Sequence, residues 1–254
     1  MKTYLKQLLL VAMLFVTVNA TGSNLPQKQS SSGVTKEYIA AVNALLDANN
    51  YIKNERESFI VILAQFGIEG PMADRIVDEL TKRLPDIMVQ IYSNHFTLDE
   101  IKQMTKLNQD KVRQKYNTLQ LQISKEMMQE MECYISGKTS PLSDITVSSD
   151  FEAAMREYFD AEEFDKAFDM MRPIYEQMFG FQNGTLNDYS DVLREIMVRF
   201  YSKYFTVSEI RHLTSQANEP CMKKLRQESP DITKESMEEI QKALYDIIQN
   251  QLSQ

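Results

Sequence analysis

The stretch Ile87-Met-Val-Gln-Ile-Tyr-Ser-Asn-His-Phe-Thr-Leu-Asp-Glu-Ile101 returns as Ile196-Met-Val-Arg-Phe-Tyr-Ser-Lys-Tyr-Phe-Thr-Val-Ser-Glu-Ile210, displaced by 109 positions without a gap. In each copy Phe-Thr-x-x-Glu-Ile has the spacing of a capping box. Thr97 at the N-cap accepts from the third helical N–H, while Glu100 reaches back to the N–H of Thr97. Phe96 and Ile101 take the staple positions on either side, and Phe205, Thr206, Glu209 and Ile210 repeat all four roles. Each box contributes about 0.5 to 2 kcal/mol and marks where one helix stops and the next begins. A catalytic reading of Glu100 and Glu209 is the rival, and the cap accounts for both glutamates without it. Tyr92 and Tyr201, earlier in the same stretch, are read as core rings. A buried tyrosine can also offer its hydroxyl to a ligand, so that alternative stays open.

Around this twin motif the helical spacing of apolar residues continues. Lys36 to about Asn50 places Ile39, Val42, Leu45 and Leu46 on one face, and Asp150 to Ala161 does so with Phe151, Met155, Tyr158 and Phe159. Here the displacement is 113 positions, as in Ala40-Ala41 against Ala153-Ala154, so a length difference of four residues falls in a loop before Ile87. A second helix is expected from about Glu55 to Phe66, closed by Gly67, with Gly180 as its counterpart. The third is expected to end at His95 or Tyr204 and to break at Pro85. The fourth, after the cap, is expected to carry Val112 and Tyr116 in one copy and Cys221 and Leu225 in the other, with a bend or restart at Asn218-Glu219-Pro220. Last helices are expected from Ser124 and Thr233 as N-caps. The fold class is therefore all-α: two tandem homologous repeats of about five helices each, packed as a bundle. Residues 36–137 form the first repeat, 138–149 a linker and 150–250 the second.

Residues 1–20 have the form of a secretory signal, with Lys2 and Lys6, an apolar run from Leu8 to Val18, and Val18-Asn19-Ala20 as cleavage site; an uncleaved N-terminal anchor is the alternative. Residues 21–35, rich in Ser and Gln, read as a disordered tether. The formal charge of −8 becomes −10 once the two lysines of the signal are removed. An acidic exported chain is a poor ligand for nucleic acid or anionic lipid, and no later segment is apolar enough for stable membrane insertion. Export would bring Cys133 and Cys221 into an oxidising compartment, where a disulfide would have to cross from one copy to the other; two small buried thiols are the alternative.

The pattern Phe/Leu-Thr-x-x-Glu-Ile-x-x-Leu/Met, followed by a polar-Pro-x-x-x-Lys stretch and preceded by an amphipathic helix ending in Tyr, resembles the exported bacterial helical family called domain of unknown function 2059. Pro220 and Lys224 match that stretch, whereas Gln216 stands at its aromatic position and Met222 at its glycine. The first copy keeps Lys115 and has Lys111 and Arg113 for the proline and glycine. The resemblance implies an all-helical exported fold and no assigned activity.

No glycine-rich phosphate loop can be drawn, and His95 and His212 stand at non-equivalent positions, so neither a metal site nor a cofactor site is expected. The methionines, among them Met127, Met128, Met131, Met170 and Met171, invite copper as a soft-ligand reading, but their helical spacing fits core packing. The acidic run from Glu152 to Asp169 lacks the spacing of a calcium loop. Asn183-Gly-Thr185 fits a glycosylation sequon. The function expected is a periplasmic or secreted, non-enzymatic binding or interaction module for a protein, a peptide or a small apolar ligand. Its alternative is a structural envelope protein that forms a homo-oligomer.

Overall fold

The computed structural model describes residues 34–65, 67–138, 142, 144–169 and 187–252. The expected signal at 1–20, most of the expected tether, Gly180, the sequon and Met170-Met171 lie outside the described residues, as do the side chains of Met128 and Met131. Among the described residues there are nine helices of eleven residues or more and no strand. They are α1 (Lys36–Ala48), α2 (Tyr51–Gln65), α3 (Gly70–His95), α4 (Leu98–Asn108), α5 (Lys111–Ser136), α6 (Ser149–Ala161), α7 (Asn187–Tyr204), α8 (Val207–Ala217) and α9 (Pro220–Leu252).

Local chemistry sets most of the boundaries. Thr35 caps α1 by accepting from the N–H of Tyr38 at 3.2 Å, and Ser148 caps α6 by accepting from that of Phe151 at 3.3 Å. Gly67 takes φ +72° after α2, where its N–H bonds Ala64 O and that of Ile68 bonds Leu63 O, the pattern glycine permits at a helix end. Asn50 and Glu163, 113 positions apart, both adopt a left-handed conformation directly after the first helix of their copy, at φ 55° and 52°.

Three expected boundaries are corrected. α3 runs through Pro85 without ending. A proline inside a helix costs about 3 kcal/mol, but Leu80, Leu84, Met88 and Ile91 are buried on both sides of it. Each such side chain returns about 1.5 to 3 kcal/mol on burial, so continuity wins. Helices do not start at Ser124 or Thr233 either, because α5 and α9 pass through both. The breaks come earlier. Asp110 Oδ1 accepts from the N–H groups of Val112 and Arg113 at 2.9 and 3.2 Å, which opens α5. Pro220 opens α9, where the missing N–H costs nothing. Val112 and Tyr116 thus belong to α5, and Cys221 and Leu225 to α9, rather than to the capped fourth helices.

The chain divides into two compact units. The described residues of Met1–Gln109 and Lys224–Gln254 make one, and those of Asp110–Lys223 make the other. In the first, composite unit, Phe59, Ile62 and Leu63 of α2 and Ala73, Ile76, Val77, Leu80 and Leu84 of α3 bury against Ile240, Ala243, Leu244 and Ile247 of α9. In the second, continuous unit, Tyr116 and Ile123 of α5 join Phe151, Met155, Tyr158 and Phe159 of α6, Phe200 and Tyr201 of α7, and Ile210 and Leu213 of α8. Each unit therefore takes its long last helix from the other half of the sequence.

Candidate functional site

Both capping boxes close as their spacing requires. Thr97 Oγ1 accepts from Glu100 N at 3.3 Å and Glu100 Oε2 accepts from Thr97 N at 2.7 Å; for Thr206 and Glu209 the distances are 3.2 and 2.8 Å. Phe96, Ile101, Phe205 and Ile210 are buried beside them. Each box glutamate also holds a lysine from a long helix. Lys224 Nζ lies 2.8 Å from Glu100 Oε1, and Lys115 Nζ lies 2.7 Å from Glu209 Oε1. The same ammonium groups sit over the staple phenylalanines, 5.5 Å from the Phe96 centroid and 4.9 Å from that of Phe205. Desolvation pushes both carboxyls up, but the lysine and the threonine donors outweigh it and hold them below the ordinary carboxylate range. Carboxylates occupied in this way act as caps and anchors.

The continuous unit carries a polar network that reaches into its core. His212 Nε2 lies 3.1 Å from Asp110 Oδ1 and 3.1 Å from Gln216 Nε2. Gln216 Oε1 accepts from Arg113 Nε at 3.3 Å. Arg113 is only 3 % exposed, its guanidinium lies 5.5 Å from the Tyr116 centroid, and its Nη2 has no hydrogen-bond partner. Beyond it the hydroxyls of Tyr158 and Tyr201 hydrogen-bond to that of Tyr116. Burial pushes the three phenols above their ordinary value; the Glu162 carboxylate adds to this and the Arg113 charge opposes it. The phenols stay neutral, so they donate and accept hydrogen bonds but do not serve as bases.

The open question about Tyr201 is thereby narrowed. Its ring stacks on Phe205 at 5.6 Å, and its hydroxyl belongs to the buried network. Sequence reading did not foresee the convergence of Arg113, Tyr116, Tyr158 and Gln216. Its trace was visible, because Arg113 and Gln216 stand where the two copies differ, opposite Met222 and Leu107, and the structure places them against each other. The second copy has Met222 and Leu225 at the positions of Arg113 and Tyr116, and the first has Leu45 at that of Tyr158. The network is thus particular to the continuous unit.

In the composite unit, Tyr38 donates its hydroxyl to Phe96 O at 3.0 Å. The Tyr51 hydroxyl contacts Met88 Sδ at 3.6 Å, and Ser236 Oγ contacts the same sulfur at 3.8 Å. Glu55, one turn beyond Tyr51, is buried with its carboxyl pushed up by desolvation to about 7. His95, whose side chain is 8 % exposed, has Nδ1 2.8 Å from Glu228 Oε2 and Nε2 3.6 Å from Glu235 Oε2. Cys133 and Cys221 are not joined by a disulfide, and Cys221 is buried. Among the described residues no group of three or more His, Cys, Asp or Glu is arranged to hold a metal ion, and no helix is long and apolar enough to cross a membrane. Comparison with family models, with curated proteins and with solved structures finds no match to the chain.

Proposed function

We propose that this is an exported, non-enzymatic interaction module built from two copies of a helical repeat similar to domain of unknown function 2059, directed to its compartment by a signal cleaved after Ala20. The observation that supports an interaction role is the distribution of exposed apolar side chains. Among the described residues the large ones are Ile39 (36 %), Val61 (39 %), Met72 (43 %) and Tyr245 (54 %), and all four belong to the composite unit. Contact surfaces favour Met and Tyr, which offer apolar area at small entropic cost. Two experiments test the two halves of the proposal. Fractionation with N-terminal sequencing should recover a chain that begins at Thr21 outside the cytoplasm; an intact Met1 in the cytoplasm overturns export. Val61→Lys, Met72→Lys and Tyr245→Lys together should abolish recovery of a specific partner from envelope extract while leaving the unfolding midpoint unchanged. An unchanged set of recovered proteins overturns the interaction role.

A further inference from the structure

The two long helices contact their units through the same set of positions. Lys224 of α9 pairs with Glu100, and Lys115 of α5 pairs with Glu209, each partner displaced by 109. Glu235 of α9 meets Asn94 at 3.4 Å and His95 at 3.6 Å. At the corresponding positions Glu126 of α5 meets Lys203 at 3.1 Å and Tyr204 at 3.4 Å. Either long helix therefore carries the groups that anchor it to either receiving layer.

Selection falls to the positions where the copies differ. His95 Nδ1 bonds Glu228 at 2.8 Å, whereas α5 has Leu119 at the place of Glu228 and would leave a buried imidazole against an alkyl chain. Reciprocally, α5 alone supplies Arg113 to Gln216 and the Tyr116 hydroxyl to Tyr201. A buried polar group without its partner costs more than the pair contributes, so these contacts reject the wrong helix. Helices α1 to α4 are thus a selective acceptor for α9. These selecting contacts lie between residues 34–109 and 224–252.

We propose that this acceptor also takes α9 from a second copy of the chain, so that two chains assemble by trading their C-terminal helices. The occupant is specified by continuity with the interface within the chain: the same lysine, the same two glutamates and the same apolar residues, Ile240, Ala243, Leu244 and Ile247. This inference is independent of export and of the exposed apolar side chains.

The test uses two full-length variants. His95→Glu sets a carboxylate against Glu228 and Glu235, and Glu228→Lys sets a cation against His95; each misfits its own helix. In a traded pair the acceptor carrying His95→Glu receives the helix carrying Glu228→Lys. The acceptor that keeps His95 receives the helix that keeps Glu228, so both mismatches at position 228 vanish, while the contact with Glu235 is the same in the traded pair and in the doubly substituted chain. The two chains are refolded together and separately at a concentration on the order of 1 mM, the effective concentration of a short tether. Native mass spectrometry should find a one-to-one species of doubled mass that forms only in the mixture. The chain carrying both substitutions should unfold alone at a higher midpoint than either singly substituted chain. A mixture that stays at single-chain mass while the doubly substituted chain recovers overturns the proposal, and so does a doubly substituted chain that fails to recover.

Discussion

Removing the ionisable group at Glu55 should abolish a specific pH dependence of stability. Glu55 lies on α2 with 6 % of its surface exposed, and desolvation moves its carboxyl from an ordinary value of 4.5 to about 7. Below pH 4.5 the group is protonated in both states and costs nothing. Between 4.5 and 7 the folded chain keeps a proton that the unfolded chain has released, so stability falls as pH rises. Above 7 the loss is complete. At about 1.36 kcal/mol per unit the shift amounts to about 3 kcal/mol. Glu55→Gln retains a polar amide of nearly the same shape and cannot ionise. Denaturant unfolding of both proteins at about pH 5 and pH 8, on either side of the folded-state value, followed by a probe in the composite unit, isolates the effect because all other groups cancel in the difference. The substituted protein should escape about 2 to 3 kcal/mol of destabilisation that the wild type suffers over this range. Equal pH dependence in the two proteins would refute the burial argument.

Other perturbations should report on the units separately. Thr97→Ala removes an N-cap acceptor and should cost about 1 kcal/mol in the composite unit, with Thr206→Ala costing the same in the continuous one; hydrogen exchange resolved by helix reads both. Tyr201→Phe deprives the buried Tyr116 hydroxyl of a partner and should cost about 1 to 2 kcal/mol in denaturant unfolding. Phe200→Ala should cost about 3 to 5 kcal/mol and Leu80→Ala about 2 to 5 kcal/mol. The first should lower exchange protection in α6 to α8, the second in α2 and α3.

What the sequence reveals divides along contact range. The caps at Thr97 and Thr206 join residues three apart, so identity and spacing suffice to place them. Gly67 is legible for the same reason, since only glycine takes that left-handed turn without strain. Pro85 misleads because local propensity is outweighed by burial of the residues around it, which no local signal reports. Ser124 misleads likewise: a favourable cap is worth about 1 kcal/mol, less than the continuity that lets α5 bury both Tyr116 and Ile123. The partners of the box glutamates lie beyond any local pattern, with Lys115 at a separation of 94 residues and Lys224 at 124. The sequence shows that both lysines occupy matching places after the motif. It does not show that each serves the other copy. Arg113 and Gln216 carried a faint signal, being exceptions to an otherwise shared pattern, and their 3.3 Å contact supplies the reason.

The central structural claim is that each unit draws its long helix from the other half of the chain. Double-mutant cycles on the full-length protein test it most directly, by pairing each box glutamate with each lysine. Truncation of Glu100 and Lys224, or of Glu209 and Lys115, should show coupling of about 0.5 to 1 kcal/mol, the scale of partly exposed ion pairs. The pairs within one copy, Glu100 with Lys115 and Glu209 with Lys224, should show none. Coupling confined to the pairs within one copy would contradict the account, because it would place each long helix on its own repeat.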